Sequence, residues 1–484
     1  MDDHLTHWVA AAPTPSGFFI EKIARDWTPN TRAAEVNVVA QSRLVYIFAR
    51  CATLPFAPAA LRERCRAAAT SGAEFVLRHF VDATHGGVFW SVGSSGRVRD
   101  DHKDAYGHAF ALLALTHAFT LTADDRYRAA AAAVWRSVRE RMRDERACAA
   151  LQRAHAGLSP CLALWQSMPR DWSSPHGRRP DATSRSQNPL MHTFEALLAL
   201  YGATRDAALL GDIGALARLA TSVLFQREGA ACGDERPSPE HSCAEQAKWG
   251  KCGQSWMRGF CCQSCGHHAA ATAAGQGLSG YVAETLDEDW RPQPSSPIAI
   301  GHQYEWATLL SLAAELGALP APVDDFMAVA RQLLETGLRI GYDEQHGGVF
   351  YWADSSGSVV KSPWDSTSPQ RKEYWVQAEV LRAFSRFAGP LTSDGLPLYG
   401  ASSPEAKGVR ADGSASTDLW PRFTQTLAFV RESLADSRYG GWFQYDDPGT
   451  SRNHRPLEKG NEWKSGYHVV TAHLEVLRWC ESDS

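Results

Sequence analysis

An all-α fold, a toroid of antiparallel helix pairs, is what this 484-residue sequence predicts. Three observations lead there. Stretches with apolar residues at three- and four-residue steps recur from end to end, about a dozen of them, leaving little room for long strands. A turn motif repeats: Asp82-x-x-His85-Gly86-Gly87-Val88-Phe89 matches Asp343-x-x-His346-Gly347-Gly348-Val349-Phe350. Asp436-x-x-Tyr439-Gly440-Gly441-Trp442-Phe443 is a looser copy. Each copy follows one helical run and precedes another, the mark of internal repetition. Polar and titratable residues also gather at the starts of several apolar helices, where a toroid brings them together around one cavity. A nonrepetitive helical bundle is the structural alternative.

The helical pattern starts at VNVVAQSRLVYIFARCATL and continues through PAALRERCRAAATSGAEFVLRHF, where paired glycines punctuate it and a short β-type run follows. After it come AYGHAFALLALTHAFTLT, YRAAAAAVWRSVRERM, MHTFEALLALYGAT and LLGDIGALARLATSVLF. Past a Cys-rich stretch the pattern resumes with GHQYEWATLLSLAAELG, VDDFMAVARQLLETGLRI, EYWVQAEVLRAFSRFA, DLWPRFTQTLAFVRESL and YHVVTAHLEVLRWC. The turns between helix pairs supply one rim of the cavity.

Composition narrows the function classes. A formal net charge of −5 gives no electrostatic footprint for nucleic acid or an anionic membrane surface. No apolar run is long enough to span a bilayer. The N-terminal stretch starts acidic and lacks the basic-then-apolar order of a signal peptide, so a cytoplasmic location is the expectation. The 17 tryptophans offer platforms for the apolar faces of sugars, although Trp is equally a core and rim residue.

Residues 228–270 interrupt the helical pattern. They hold Cys232, Cys243, Cys252, Cys261, Cys262 and Cys265 among few aliphatics and many turn formers, a composition that needs crosslinks or a metal. Disulfides are the favoured reading and a Cys/His zinc site the rival. Disulfides seldom persist in a reducing cytosol, so this expectation conflicts with the cytoplasmic one. Cys51, Cys65, Cys148, Cys161 and Cys480 lie mostly in helical runs and read as core residues.

The candidate chemistry is carried by histidines. His302 and Glu305 stand three apart at a helix start, with Trp306 following, and His192 and Glu195 repeat that spacing. His468 opens the last helix behind Trp463, Lys464 and Tyr467. Trp375, Gln377 and Glu379 open another, and Arg43 and Tyr46 share a face of an otherwise apolar one. An inward-facing Arg needs an anionic or strongly polar partner. Tyr106 and His108 stand in HKDAYGHAF. His85, His108 and His346 read as structural or surface residues.

The motifs SRLVY (42–46), KDAYGHAF (103–110), NPLMHTFEA (188–196), GHQYEWATLL (301–310), YWVQAE (374–379) and WKSGYH (463–468) together resemble the N-acylglucosamine 2-epimerase superfamily. That superfamily of (α/α)6 barrels includes cellobiose 2-epimerase, mannose isomerase and sulfoquinovose isomerase. The resemblance covers nearly the whole chain, 1–484, apart from the Cys-rich insert. The insert resembles the small ShK-like six-cysteine module, with His267 and His268 where that module has a further Cys. Its pairing scheme stays open.

The resemblance implies proton transfer at C2 of an opened aldose, with a small-molecule sugar as partner and no cofactor or metal. A base must reach the C2 proton, and the enediolate oxygens must be stabilised; an imidazole both accepts and donates a proton near neutrality. By the resemblance, His302 and His468 are the acid/base pair, and His192 with Asn188 binds the anomeric oxygen and assists ring opening. Arg43 stabilises the enediolate. Glu305 orients His302 or holds a sugar hydroxyl, and Tyr106, Trp375 and Trp463 position the sugar. The aromatic Trp306 after Glu305 is closer to the aldose–ketose isomerase branch; 2-epimerisation of cellobiose, mannose or N-acylglucosamine is the alternative. The expected assembly is a monomer or homodimer. A two-carboxylate hydrolase or lyase is disfavoured because the inner positions are richer in His than Asp. A di-metal centre is disfavoured because its usual order is Glu-x-x-His. A carbohydrate-binding toroid without activity is the non-enzyme alternative. The insert is expected at a rim, as a lid, a targeting element or an interaction patch.

Overall fold

The computed structural model describes residues 2–32, 35–155, 157–173, 185–227, 240–251, 278–293, 296–362, 367–388, 419–448 and 456–480. Its helices, in chain order, are α1 (Asp2–Ala11), α2 (Val38–Cys51), α3 (Ala59–Phe75), α4 (Ala105–Thr122) and α5 (Asp125–Arg141). Then follow α6 (Glu145–Ala154), α7 (Gln187–Thr204), α8 (Leu209–Leu219) and α9 (Cys243–Lys248). The last are α10 (Ile300–Glu315), α11 (Val323–Gly341), α12 (Tyr374–Ala388), α13 (Leu419–Phe429) and α14 (Tyr467–Cys480). Helices α2, α4, α7, α10, α12 and α14 pack in that order, and α14 returns to α2, so an inner ring closes. The outer helices α3, α5, α8, α11 and α13 each back onto the inner helix before them, and α1 packs on α2 and α3. This is the (α/α)6 barrel expected.

The sequence explains which helices lie inside. Inner helix α4 is apolar nearly all round and buried along most of its length, as a helix enclosed by others must be. Outer helix α11 buries Phe326, Val329, Ala330, Leu333, Leu334 and Ile340 on one stripe and shows charged residues opposite. Side-chain caps start several inner helices: Asn37 accepts from Ala40 N (2.7 Å), Asp104 from Gly107 N (3.0 Å) and Ser186 from Asn188 N (3.2 Å).

The fourth residue of four inner helices ties the barrel to its rim. Gln41 Oε1 accepts from Phe19 N (2.9 Å), Gln303 from Val282 N (2.8 Å) and Gln377 from Val349 N (2.8 Å). His108 Nε2 accepts from Val88 N (3.0 Å) while its Nδ1 donates to the Asp104 carbonyl (2.7 Å). His108 is structural, as expected, and Gln377 is an anchor rather than a site residue. His85 and His346 are exposed.

The repeated turns are built on one plan. The N–H of the first glycine donates to the carbonyl of the leading Asp (Gly86 to Asp82, Gly347 to Asp343, Gly440 to Asp436; 2.8 Å each). All six glycines have positive φ, between 66° and 79°, which is why two glycines recur there. A lysine from the next rim segment then reaches the Asp carboxylate: Lys103 to Asp82 (3.0 Å), Lys372 to Asp343 (2.8 Å) and Lys459 to Asp436 (2.8 Å). Each ammonium also lies over the motif's own aromatic ring, Phe89, Phe350 or Phe443.

Two of these turns carry a further clamp. Trp27 and Trp172, both at positive φ, donate indole N–H bonds to the turn carbonyls of Tyr439 (2.7 Å) and His85 (2.8 Å). Arg25 and Arg170, two residues before them, pair with Asp436 and Asp82. A fourth repeat departs from the plan. Asp144 pairs with Arg185 (2.7 Å), whose guanidinium stacks on Trp165, but helix α6 replaces the paired-glycine turn. The corresponding Trp290 also has positive φ, yet Glu288 stands in the arginine's place and the indole Nε1 has no hydrogen-bond partner.

Cys51 and Cys65 are buried as expected, but they form a disulfide between α2 and α3. Cys148 and Cys161 are buried free thiols, Cys161 outside any helix. In the insert, Cys243 is buried and disulfide-bonded. Cys232, Cys252, Cys261, Cys262 and Cys265, with His267 and His268, lie outside the described residues, as does the side chain of Cys480. No described helix is long and apolar enough to cross a membrane.

The rim Asp–Lys pair makes a direct prediction. Lys372→Met leaves the half-buried Asp343 carboxylate and the Gly347 carbonyl without their donor, and the unfolding free energy falls by roughly 1–3 kcal/mol. Chemical denaturation monitored by circular dichroism measures this; an unchanged midpoint would contradict it.

Candidate active site

The inner helices aim their opening turns at the barrel's centre. The second and sixth residues of these helices lie one turn apart on one face. They supply Tyr106 and Phe110 from α4, Asn188 and His192 from α7, Trp375 and Glu379 from α12, and His468 from α14, with Arg43 and Glu305 at the sixth positions of α2 and α10. His302, third in α10, joins them. Of the residues singled out in the sequence, Arg43, Tyr106, His192, Glu305, His302, Trp375 and His468 come together in one chain of contacts.

Two imidazoles flank one indole. The ring centroids of His302 and His468 lie 4.9 and 5.5 Å from that of Trp375. Gly301 makes the approach feasible, since a Cβ there would stand 2.6 Å from the Trp375 ring. Each imidazole is fixed through Nδ1 by a buried carboxylate. His468 Nδ1 lies 2.7 Å from Glu379 Oε1, and Arg382 donates to the other oxygen of that carboxylate (3.2 Å). His302 Nδ1 lies 2.7 Å from Glu284 Oε2. Gln187 Nε2 donates to the same oxygen (3.2 Å), and Trp306 Nε1 donates to Gln187 Oε1 (2.6 Å). A carboxylate on Nδ1 places the proton there and leaves the Nε2 lone pair available. No hydrogen bond among the described residues engages either Nε2.

The equal His-x-x-Glu spacings therefore have different outcomes. His192 Nδ1 does bond Glu195 (3.0 Å), and Tyr467 donates its hydroxyl to the same carboxylate oxygen. Glu305 does not orient His302; Glu284, from the rim segment before α10, takes that place. Glu284 carries no helical spacing to His302, so no local pattern marked it.

Glu305 is the unusual group. It is fully buried, and neither carboxyl oxygen has a hydrogen-bond partner. His192 Nε2 stands 3.9 Å from its Oε1. Burial, with the Glu379 and Glu195 charges nearby, pushes its pKa well above the usual carboxylate range. Burial acts upward on Glu195 as well, but the bonds from His192 and Tyr467 and the Arg382 charge outweigh it and bring that group down to about 2. Burial lowers His192 and takes His468 down to about 4 despite the opposing Glu379 bond. Both are neutral bases near pH 7.

Arg43 is a buried cation that no carboxylate pairs among the described residues. Nη2 donates to Tyr106 Oη (2.7 Å) and Nη1 to the Trp463 carbonyl (2.9 Å), and the guanidinium stacks over Phe110 (4.4 Å) and Tyr467 (5.1 Å). Asn188 keeps its amide oxygen buried without a partner. Trp463 stands at the mouth, 51 % exposed, its ring 6.3 Å from that of Trp90.

Two overlapping groups, His192–Glu195–Glu305 and Glu305–Glu379–His468, bring ligand-type atoms within 4.8 Å of one another.

Comparison with known proteins identifies the family. The chain is 22% identical over 469 residues, 96% of its length and 92% of the relative's, to a D-mannose isomerase of Marinomonas mediterranea. It is 25% identical over 413 residues, 84% of its length and 80% of the relative's, to a cellobiose 2-epimerase of Eubacterium cellulosolvens. Its fold matches the structure of cellobiose 2-epimerase from Spirochaeta thermophila with a TM-score of 0.68 at 21% identity, covering 100% of this chain and 94% of that one. The N-acylglucosamine 2-epimerase (GlcNAc 2-epimerase) family profile matches residues 17–272 and 267–394, and the chain belongs to that family of carbohydrate isomerases and epimerases.

Proposed function

We propose that this protein moves the C2 proton of an opened aldose through an enediolate, interconverting a mannose-type aldose and its ketose. The observation that carries this reading is the pair His302 and His468 on Trp375, each tied through Nδ1 to a buried carboxylate and each with Nε2 unengaged. Similarity to a D-mannose isomerase over nearly the whole chain supports the sugar class.

In this reading the ring-closed sugar docks with its anomeric oxygen at His192 and Asn188. Glu305, its pKa pushed up by burial and the neighbouring carboxylates, holds a sugar hydroxyl by a hydrogen bond. A neutral imidazole Nε2 removes the C2 proton, and the negative charge moves onto the carbonyl oxygen. Arg43, already desolvated and without a carboxylate, meets that charge with no reorganisation, a contribution of about 3 kcal/mol. The 2-hydroxyl proton passes to the first oxygen, and reprotonation at C1 then yields the ketose. Tyr106 holds the Arg43 guanidinium, and Trp375 and Trp463 hold the sugar face.

A 2-epimerase is the second reading. It is favoured by the placement of two equivalent imidazoles rather than one, since each then serves one face of C2. Incubation of the purified protein with mannose, glucose, fructose and cellobiose, with and without a chelator, separates the cases by product. Ketose formation that survives chelation is expected. A C2-inverted aldose alone selects the epimerase, and loss of activity on chelation would overturn the metal-free mechanism.

Three further outcomes follow. His302→Ala and His468→Ala each lower kcat by about 10²–10⁴-fold with the fold retained; near-full activity in either would contradict the assignment. Glu284→Gln releases the His302 tautomer and also lowers kcat by about 10²-fold or more, with a smaller effect on KM. Because His468 stays neutral down to about 4, the acid limb of kcat/KM set by it falls well below the usual imidazole value. A limb centred near 6.5 would contradict this.

A further inference from the structure

Helix α6 replaces a short glycine turn with a far longer excursion, from Asp144 to Trp165, between the same two structural points. The ends are equivalent to those of the other repeats: Trp165 N donates to the Met142 carbonyl as Phe89 N donates to that of Phe80. A longer loop costs more entropy to close, and it lacks the paired-glycine turn that organises its counterparts. What it has instead is a pair of cysteines. Cys148 lies in the first turn of α6, and Cys161 lies on the strand of chain that returns to Trp165. Both are buried, and the two thiols lie close enough to shift each other's ionisation. Ala163 N donates to Cys148 Sγ (3.4 Å), so the returning segment is already laid against that sulfur.

We propose that Cys148 and Cys161 form a native disulfide that closes the α6 excursion, as Cys51–Cys65 joins α2 to α3. The chemistry is thiol–disulfide exchange with a small or protein disulfide such as oxidised glutathione. The Cys148 thiolate attacks the oxidant and expels one thiolate; Cys161 then attacks the mixed disulfide and expels the second. Two protein thiols become one disulfide, and the oxidant leaves as two thiols carrying the two protons. Burial shields the pair in the folded protein, so the bond forms before the loop closes. The same α6 turn is capped by Asp144, which accepts from Ala147 N (2.9 Å) and pairs with Arg185 two residues before α7. The crosslink thus braces the entry to the helix that carries Asn188 and His192. Cys51–Cys65 and the bonded Cys243 agree with folding in a compartment where disulfides persist.

The test is peptide mapping of the full-length protein, refolded in a glutathione redox buffer and alkylated before digestion without reductant. Trypsin cuts after Arg146, Arg153 and Arg170, placing the two cysteines in separate peptides. The expected result is one linked species, two hydrogens lighter than the sum of the two peptides, alongside the linked Cys51–Cys65 peptides. Separately alkylated Cys148 and Cys161 in material whose Cys51–Cys65 bond is intact would overturn the proposal. As a second readout, reductant lowers the thermal midpoint of the wild type by several degrees more than that of Cys148→Ser/Cys161→Ser. An equal shift in both would also overturn it.

Discussion

A buried side chain at the fourth position of an inner helix, bonded to the backbone of the rim segment before it, is the constraint on which the site depends. Gln41, His108, Gln303 and Gln377 each make this bond. With the fourth residue held to the rim, helix geometry leaves the second and sixth on another face, toward the lumen. On the four anchored helices those lumen positions hold Arg43, Tyr106, Phe110, Glu305, Trp375 and Glu379. The anchors are uncharged or neutral, so they fix the helix phase without adding net charge beneath the site. Burial holds His108 near 3, which keeps its Nε2 an acceptor.

Charge inside the ring is distributed with care for its cost. Three carboxylates, Glu195, Glu305 and Glu379, meet Arg382 and Arg43 in a volume from which water is largely excluded. Glu195 and Glu379 stay ionised because each has a hydrogen-bonding histidine and the Arg382 charge. Glu305 has no hydrogen bond among the described residues, and burial raises its pKa well above the usual carboxylate range. Arg43 is then the charge with no counter-ion among the described residues, stacked between aromatic rings. A cation kept desolvated and unpaired is expensive in a stable fold and useful where an anion forms. The rim spends its ion pairs differently. Lys103, Lys372 and Lys459 close the glycine turns that lead into the barrel.

Much of this was legible in the sequence because it is periodic. The helical runs and the Asp-x-x-His/Tyr-Gly-Gly turns gave the toroid, and residues at helix starts gave most of the cluster. What escaped notice has no local signature. Glu284 reaches His302 from a loop, and Glu305 fails to reach it although the spacing permits, since the closer carboxylate wins. Gln377 looked like part of the cluster but sits on the anchoring face. Lys372 and Asp343, far apart in sequence, meet only once the rim closes. Cys51 and Cys65 read as packing residues, and only the pairing of α2 with α3 sets them side by side.

The central claim is proton transfer at C2 by His302 and His468. Proton NMR of mannose and fructose with the enzyme in deuterated water tests it most directly. The account predicts deuterium at the C1/C2 edge of the sugars, formed together with the new ketose or aldose, and abolished in His302→Ala and His468→Ala. Sugar conversion without solvent deuterium in either product, or exchange undiminished in both variants, would contradict it.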